Sequence, residues 1–251
     1  MNQTLKTLHE LRTIHGNFSD ELIAAEKLTA ILRATVRAAN ASARQSYSII
    51  VTDSEKRREL KWPGAEALLF CVDFTRLIDT AKFLGETFDA ESFLPFLTGV
   101  VDTTLAVQNA VIAAKSLGID SLITNRVYRA GEIEKVRSAL QLPEKHCFPV
   151  LLVCLGYATK EPAFRKGRLE DLGIIHRGSY RRLSRDELDV IVQQYDDPEQ
   201  HLGLDDKWKV KGFEHYLSWF FAQWSKGVEN RDKARLLLDA VRSAGFFGPE
   251  E

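Results

Sequence analysis

Residues 99–118 read GVVDTTLAVQNAVIAAKSLG, and with Phe96, Leu97 and Thr98 they form the one stretch that approaches the length of a membrane span. Asp102, Gln108, Asn109 and Lys115 interrupt it, and each is costly in a bilayer. The stretch therefore predicts a long helix over 96–117, buried inside a soluble protein. Gly118 closes it, because glycine adopts the left-handed conformation of a helix C-terminus without steric cost.

The elements around that helix follow from its flanks. On the C-terminal side Ile119–Thr124 is a predicted strand and Glu132–Leu140 a helix stopped by Pro143. Phe148–Leu155 is so continuously apolar that it should be a central strand covered on both faces. On the N-terminal side Phe74–Leu84 reads as a helix, Ala67–Val72 as a buried strand, and Trp62-Pro63-Gly64 as the turn before it. Tyr47–Val51 is a short strand, followed by one or two helical turns over Asp53–Leu60. Further upstream, Leu5, Leu8 and Leu11 mark a short helix. Ser19 or Asp20 is placed to cap a second helix with Leu22, Ile23, Leu28, Ile31, Leu32 and Val36 on one face.

Beyond Gly156 the character changes. Residues 157–182 mix charges with Pro162, Gly167, Gly173 and Gly178, an extended loop region. Helices are predicted near 184–195, 207–225 and 229–244, the middle one rich in aromatics from Trp208 to Trp224. Strands and helices interleave without a regular doubly wound pattern, which places the chain in the α+β class. It reads as a single domain over 1–251, with a core of about 1–180 and a helical C-terminal arm of about 184–251.

Composition narrows the function. The chain has 251 residues, 45% hydrophobic and 27% charged, with a formal net charge of -1, so it lacks the basic excess that general nucleic-acid binding needs. Cys71, Cys147 and Cys154 form no CxxC pair and read as small buried thiols in a reducing compartment. Met1–Leu11 lacks the apolar run of a signal peptide, so a cytoplasmic location is expected. There is no GxGxxG after a strand, no GxxxxGK[ST], no GxSxG and no HExxH, and the six histidines show no metal-ligand pairing at helical spacing. No metal site is expected. General motifs alone leave the chemistry unassigned.

Ordered segments supply what general motifs do not. Arg12-Thr13-Ile14-His15-Gly16-Asn17-Phe18 resembles the opening signature of the nitroreductase family, and Ala38-Ala39-Asn40-Ala41-Ser42-Ala43-Arg44-Gln45 resembles its small-residue loop before the first strand. Leu69–Phe74, Leu140-Gln141-Leu142-Pro143, Cys154-Leu155-Gly156-Tyr157 and Lys166-Gly167-Arg168-Leu169 are similar to further family segments in the same order. The stretch 99–118 resembles the central dimer-interface helix of the branch holding oxygen-insensitive NADPH nitroreductases and flavin reductases.

The resemblance implies a mixed, mainly antiparallel sheet flanked by helices, and a homodimer with FMN bound non-covalently between subunits. It implies that Arg12, Lys166 and Arg168 surround the FMN phosphate, where guanidinium and ammonium groups give charge-assisted hydrogen bonds. Thr13 offers a hydroxyl to the phosphate or ribityl chain. Asn40, Ala41 and Ser42, with Gln45, come from the other subunit to the ring, and backbone N–H groups of Thr124, Asn125 and Arg126 face flavin N5. The C-terminal arm is expected to reach across the other subunit. The implied reaction is two-step: NADH or NADPH reduces the flavin, and a nitroaromatic, quinone or flavin acceptor then takes two electrons. No catalytic side chain is expected, because the cofactor carries the chemistry. No membrane or nucleic-acid partner is implied.

Three positions depart from the family pattern. His15 stands where a permanent cation is usual, so support for negative charge on the reduced flavin should depend on pH, and an arginine there should raise the reduction potential. The segment from Leu60 to Ala67 is shortened, which should weaken FMN unless Lys61 or Trp62 substitutes. Thr124-Asn125-Arg126 replaces a glycine-rich sequence, with Asn able to keep a positive-φ backbone path. These departures keep open two alternatives: a flavin-binding or flavin-free scaffold or sensor of the same fold, or a specialised flavoenzyme such as a dehalogenase.

Overall fold

The computed structural model describes residues 1–129, 131–204, 206–224 and 227–248. The chain forms two compact units, one of residues 1–160 with 232–251 and one of residues 161–231.

The first unit is built on a four-stranded antiparallel sheet of β1 (Tyr47–Val51), β2 (Glu66–Asp73), β3 (Asp120–Thr124) and β4 (Cys147–Gly156), in the order β1-β2-β4-β3. Its helices are α1 (Gln3–His9), α2 (Ala25–Thr35), α3 (Ser54–Glu59), α4 (Thr75–Phe83), α5 (Phe93–Ser116) and α6 (Ile133–Leu140). The two central strands, β2 and β4, are apolar on both faces, as expected for strands covered twice. Leu68 and Phe70 of β2 pack toward α2 and α5, whereas Ala67, Leu69 and Cys71 pack toward Trp62 and Val136. Pro149 lies inside β4 and cannot donate to the ladder. The β2–β4 register shifts beside it, between Phe70 and Cys71, and this irregularity accommodates the proline.

Helix α5 is the one helix among the described residues long and apolar enough to cross a membrane, and here it packs on the sheet. Ala106, Ala110 and Ala114 recur every fourth residue and let its backbone approach the strands. Within one chain that face, from Gly99 to Ala114, is the buried one. Leu94, Leu97, Val101 and Leu105 form an exposed apolar stripe along the opposite side.

Helix α2 starts at Ala25 with Ala24 at its N-cap, and neither Ser19 nor Asp20 caps it. The cause is long-range pairing: Ser19 N–H donates to Tyr157 O at 2.7 Å, Thr159 N–H donates to Asn17 O at 2.8 Å, and Phe18 bridges Ala158. Residues 17–19 are thereby held extended.

The second unit contains the loop after Lys160, then α7 (Arg185–Asp196), α8 (Lys207–Val210), α9 (Tyr216–Trp224) and the start of α10 (Gly227–Ser243). Ser184 and Glu187 form a capping box at the start of α7. The predicted helix 207–225 is broken, because Gly212 takes φ +76° and Phe213 N–H closes back on Trp208 O. Asp196 then accepts both Tyr216 N–H and His215 Nδ1 at 2.7 Å, which starts α9 afresh. Trp208, Tyr216 and Trp219 form this unit's core. The end of α10 returns to the first unit, where Val241, Ala244 and Phe246 pack with Val72, Phe74 and Phe148. The end of the arm thus packs on its own chain.

Candidate functional site

Segment 12–15 runs beside β3. Thr13 forms a parallel bridge with Ser121, and Ile14 N–H donates to Ser121 O at 3.0 Å. Strand alternation buries Ile14 and exposes Thr13 and His15. Arg12 donates through Nε and Nη2 to the two Asp120 oxygens at 2.9 and 3.0 Å. Lys115 Nζ lies 3.6 Å from the same carboxylate, and Ala158 N–H donates to it at 3.4 Å. Burial alone raises a carboxyl, but the Arg12 hydrogen bonds and charge, with Lys115, outweigh it and hold Asp120 below its ordinary range.

The parallel direction carries His15 toward the far end of β3, where Thr124, Asn125 and Arg126 lie. Asn125 has φ −94°, so the positive-φ path expected of it is not used. Its side chain instead bonds Tyr128 OH at 2.8 Å and accepts from Arg129 at 3.2 Å. Arg126 N–H is taken by Thr124 Oγ1 at 3.2 Å. Trp62, one of the two residues offered as substitutes for the shortened segment, is 5% exposed and belongs to the core. Lys61 is exposed, at the left-handed end of α3 with φ +53°.

Loop 40–46 precedes β1 and is unusual in its backbone. Ser42, Ala43 and Gln45 take φ +53°, +54° and +49°, each costing about 1–2 kcal/mol for a side chain other than glycine. Four hydrogen bonds from two distant side chains hold it, and sequence reasoning missed both residues that make them. Asp102 of α5 accepts Ala41 N–H at 2.9 Å and Ser46 N–H at 3.4 Å. Arg76 Nη2 donates to the carbonyls of Arg44 and Gln45 at 2.6 and 2.9 Å. The available signal was Asp102 itself: a carboxylate in an apolar helix requires partners. Within the loop, Asn40 Oδ1 accepts Gln45 N–H at 3.0 Å.

Lys166 and Arg168 belong to the second unit. Lys166 Nζ donates to the carbonyls of Gly203 and Leu204 and stacks over Phe164, while Arg168 Nη1 donates to Gly167 O at 2.7 Å. Gly167 is obligatory, since a Cβ there would lie 1.9 Å from Gln200 O.

The first unit brings segment 12–15 and residues 124–126 together, but not loop 40–46. β1 and β3 are the two edges of the sheet, three strand spacings or roughly 14 Å apart. Alternating strand directions put the start of β1 and the end of β3 at the same end of the sheet. One chain thus carries the two groups of expected site residues at opposite edges and the same end of the sheet.

A sequence profile of the Nitroreductase family matches residues 61–157. The chain is 30% identical over 208 residues to the FMN reductase (NADPH) of Bacillus subtilis, spanning 78% of this chain and 81% of that protein. It is 31% identical over 209 residues to the oxygen-insensitive NADPH nitroreductase of Salmonella typhimurium, spanning 78% and 81%. Its fold is similar to that of the nitroreductase NfrA1 from B. subtilis, with TM-score 0.81, 25% identity, and 98% and 99% of the two chains covered.

Proposed function

This chain belongs to the nitroreductase family, and on that premise we propose that it is a cytoplasmic, homodimeric, FMN-dependent NAD(P)H oxidoreductase. Its acceptors are nitroaromatic, quinone or flavin-type molecules, and both compact units belong to one nitroreductase-like domain. The observation that carries the reading is the pair of half-sites at opposite sheet edges and the same sheet end. A two-fold partner supplies to each β3 edge the loop its own chain keeps at β1.

The donor set of the β3 edge fits an elongated anionic cofactor. Arg12 stands at the Asp120 end, where its Nε and Nη2 hold the Asp120 carboxylate. The exposed Thr13 hydroxyl follows, then His15 and residues 124–126. Arg12 offsets the phosphate charge. Thr13 donates to the phosphate or ribityl chain. His15 and the Asn125 N–H orient the ring edge, and Asn40, Ala41, Ser42 and Gln45 of the partner subunit cover the ring and keep water from it. FMN, when bound, supplies the hydride and two-electron chemistry. Because Arg126 N–H is already satisfied by Thr124, the Asn125 N–H is the donor assigned toward N5.

A scaffold reading keeps support from one observation. Trp62 is in the core, so the shortened 60–67 segment has only Lys61 to offer the pyrimidine edge. The visible spectrum of the purified chain, followed by anaerobic NADH and NADPH, decides between them. Flavin bands bleached by either nucleotide are expected. A colourless protein that takes up no added FMN would establish the scaffold.

A further inference from the structure

We propose that Asp102 and Arg76 are positioning residues that clamp loop 40–46 in its left-handed conformation, and so set how the loop meets the flavin. The flavin clause rests on the function proposed above; the clamp itself stands on geometry within one chain.

Asp102 is 1% exposed and sits one turn beyond Gly99 on the inner face of α5. Gly99 brings the helix onto β2 and the loop: a Cβ there would lie 2.6 Å from Val72 Cγ1 and 3.4 Å from Ser46 O. That approach is what lets the Asp102 carboxylate reach Ala41 N–H and Ser46 N–H, the two ends of the loop. Between those ends Gln45 N–H also turns inward, to Asn40 Oδ1. The carbonyls of Arg44 and Gln45 turn outward and meet one guanidinium nitrogen of Arg76, from the first turn of α4. Amides collected by an internal carboxylate and carbonyls collected by an external cation are opposite demands on one short backbone. The left-handed residues Ser42, Ala43 and Gln45 satisfy both at once.

The clamp is not a property of the loop sequence, since none of those three residues is a glycine. Without it, the segment is free to relax to negative φ, which moves Asn40, Ala41, Ser42 and Gln45 away from their present directions. A carboxylate is needed inside because it accepts at both oxygens, whereas an amide of the same shape turns an NH2 toward one of the two N–H groups.

The test uses the full-length protein and three readouts: hydrogen exchange of segment 40–46, FMN affinity by titration, and the midpoint potential of bound flavin. Asp102→Asn should speed exchange and weaken FMN about 10-fold, the equivalent of one hydrogen bond to a charged group. It should also shift the potential, which a remote packing defect leaves alone. Ala43→Gly should leave FMN affinity within about 2-fold in the wild-type background, yet recover several-fold of the loss in Asp102→Asn, because glycine takes positive φ without the clamp. FMN affinity and potential unchanged in Asp102→Asn, or effects of the two substitutions that simply multiply, would overturn the proposal. Should Asp102→Asn not fold, Arg76→Ala removes the outer half from an exposed position, and unchanged exchange and FMN affinity there overturn the clamp equally. A wild-type chain that takes up no FMN overturns the functional reading and the flavin clause with it, whereas a wild type that binds as tightly as its variants overturns the clamp alone.

Discussion

Asp120 ties several distant groups together: Arg12 Nε and Nη2, Lys115 and the Ala158 N–H. It joins the start of the chain to the end of α5 and to the second residue after β4, and it orients the guanidinium assigned to the phosphate. Its carboxyl is held low, so the sign of its pH effect is set. The stability it contributes is fully present above the unfolded value near 3.9 and is lost as pH falls through the depressed folded value. Asp120→Asn should therefore destabilise the chain by about 1–2 kcal/mol at pH 7. In urea unfolding followed across pH, the gap to wild type should close in strong acid. A gap that persists at low pH would mean the residue acts through shape, not charge.

At the scale of one element, α5 has two apolar faces with different composition. The alanine face allows close approach to β2 and β4, while Leu94 at 69% exposure and Val101 at 51% head a stripe of large exposed side chains among the described residues. A stripe of that kind marks a contact surface, and in the dimer proposed above a second copy would cover it. Val101→Glu combined with Leu105→Glu places two charges in that contact without touching the core. Light scattering should report a monomer where wild type is a dimer, and FMN should be lost along with the partner loop. A double variant that remains dimeric would move the interface elsewhere. The same element shows what periodicity captures and what it misses. An apolar run predicts helix 96–117, observed as Phe93–Ser116, but not which apolar face meets the sheet, because burial is decided by a partner surface and not by the helix itself. The aromatic run at 207–225 fails for a related reason: Gly212 and Asp196 end and restart the helix, and Asp196 arrives from α7.

For the whole molecule, half-sites at opposite edges predict complementation. Arg12→Glu should disable the β3 edge and Ser42→Trp the loop, each alone giving an inactive dimer. Mixed after dissociation, half the dimers are heterodimers with one intact site of two, so reductase activity should return to about a quarter of wild type by statistical pairing. No recovery on mixing, with heterodimers verified, would put the whole site within one chain. Much of this architecture was legible from local rules. Tyr47–Val51 is bounded to the residue by a small-residue loop and by Asp53, whose Oδ1 caps α3 through Lys56 N–H at 2.7 Å, and caps, turns and alternation act over a few residues. The family segments also told where cofactor contacts should lie along the chain. Local rules therefore placed most of the elements and the candidate residues along the chain. Only the tertiary structure decided that Asp120 holds Arg12 across 108 residues, that Asp102 holds Ala41 across 61, and that the loop and the β3 edge stand on opposite sides of the sheet. Those pairings are chosen by which buried charge finds a donor once the layers pack, and no short-range pattern encodes that choice.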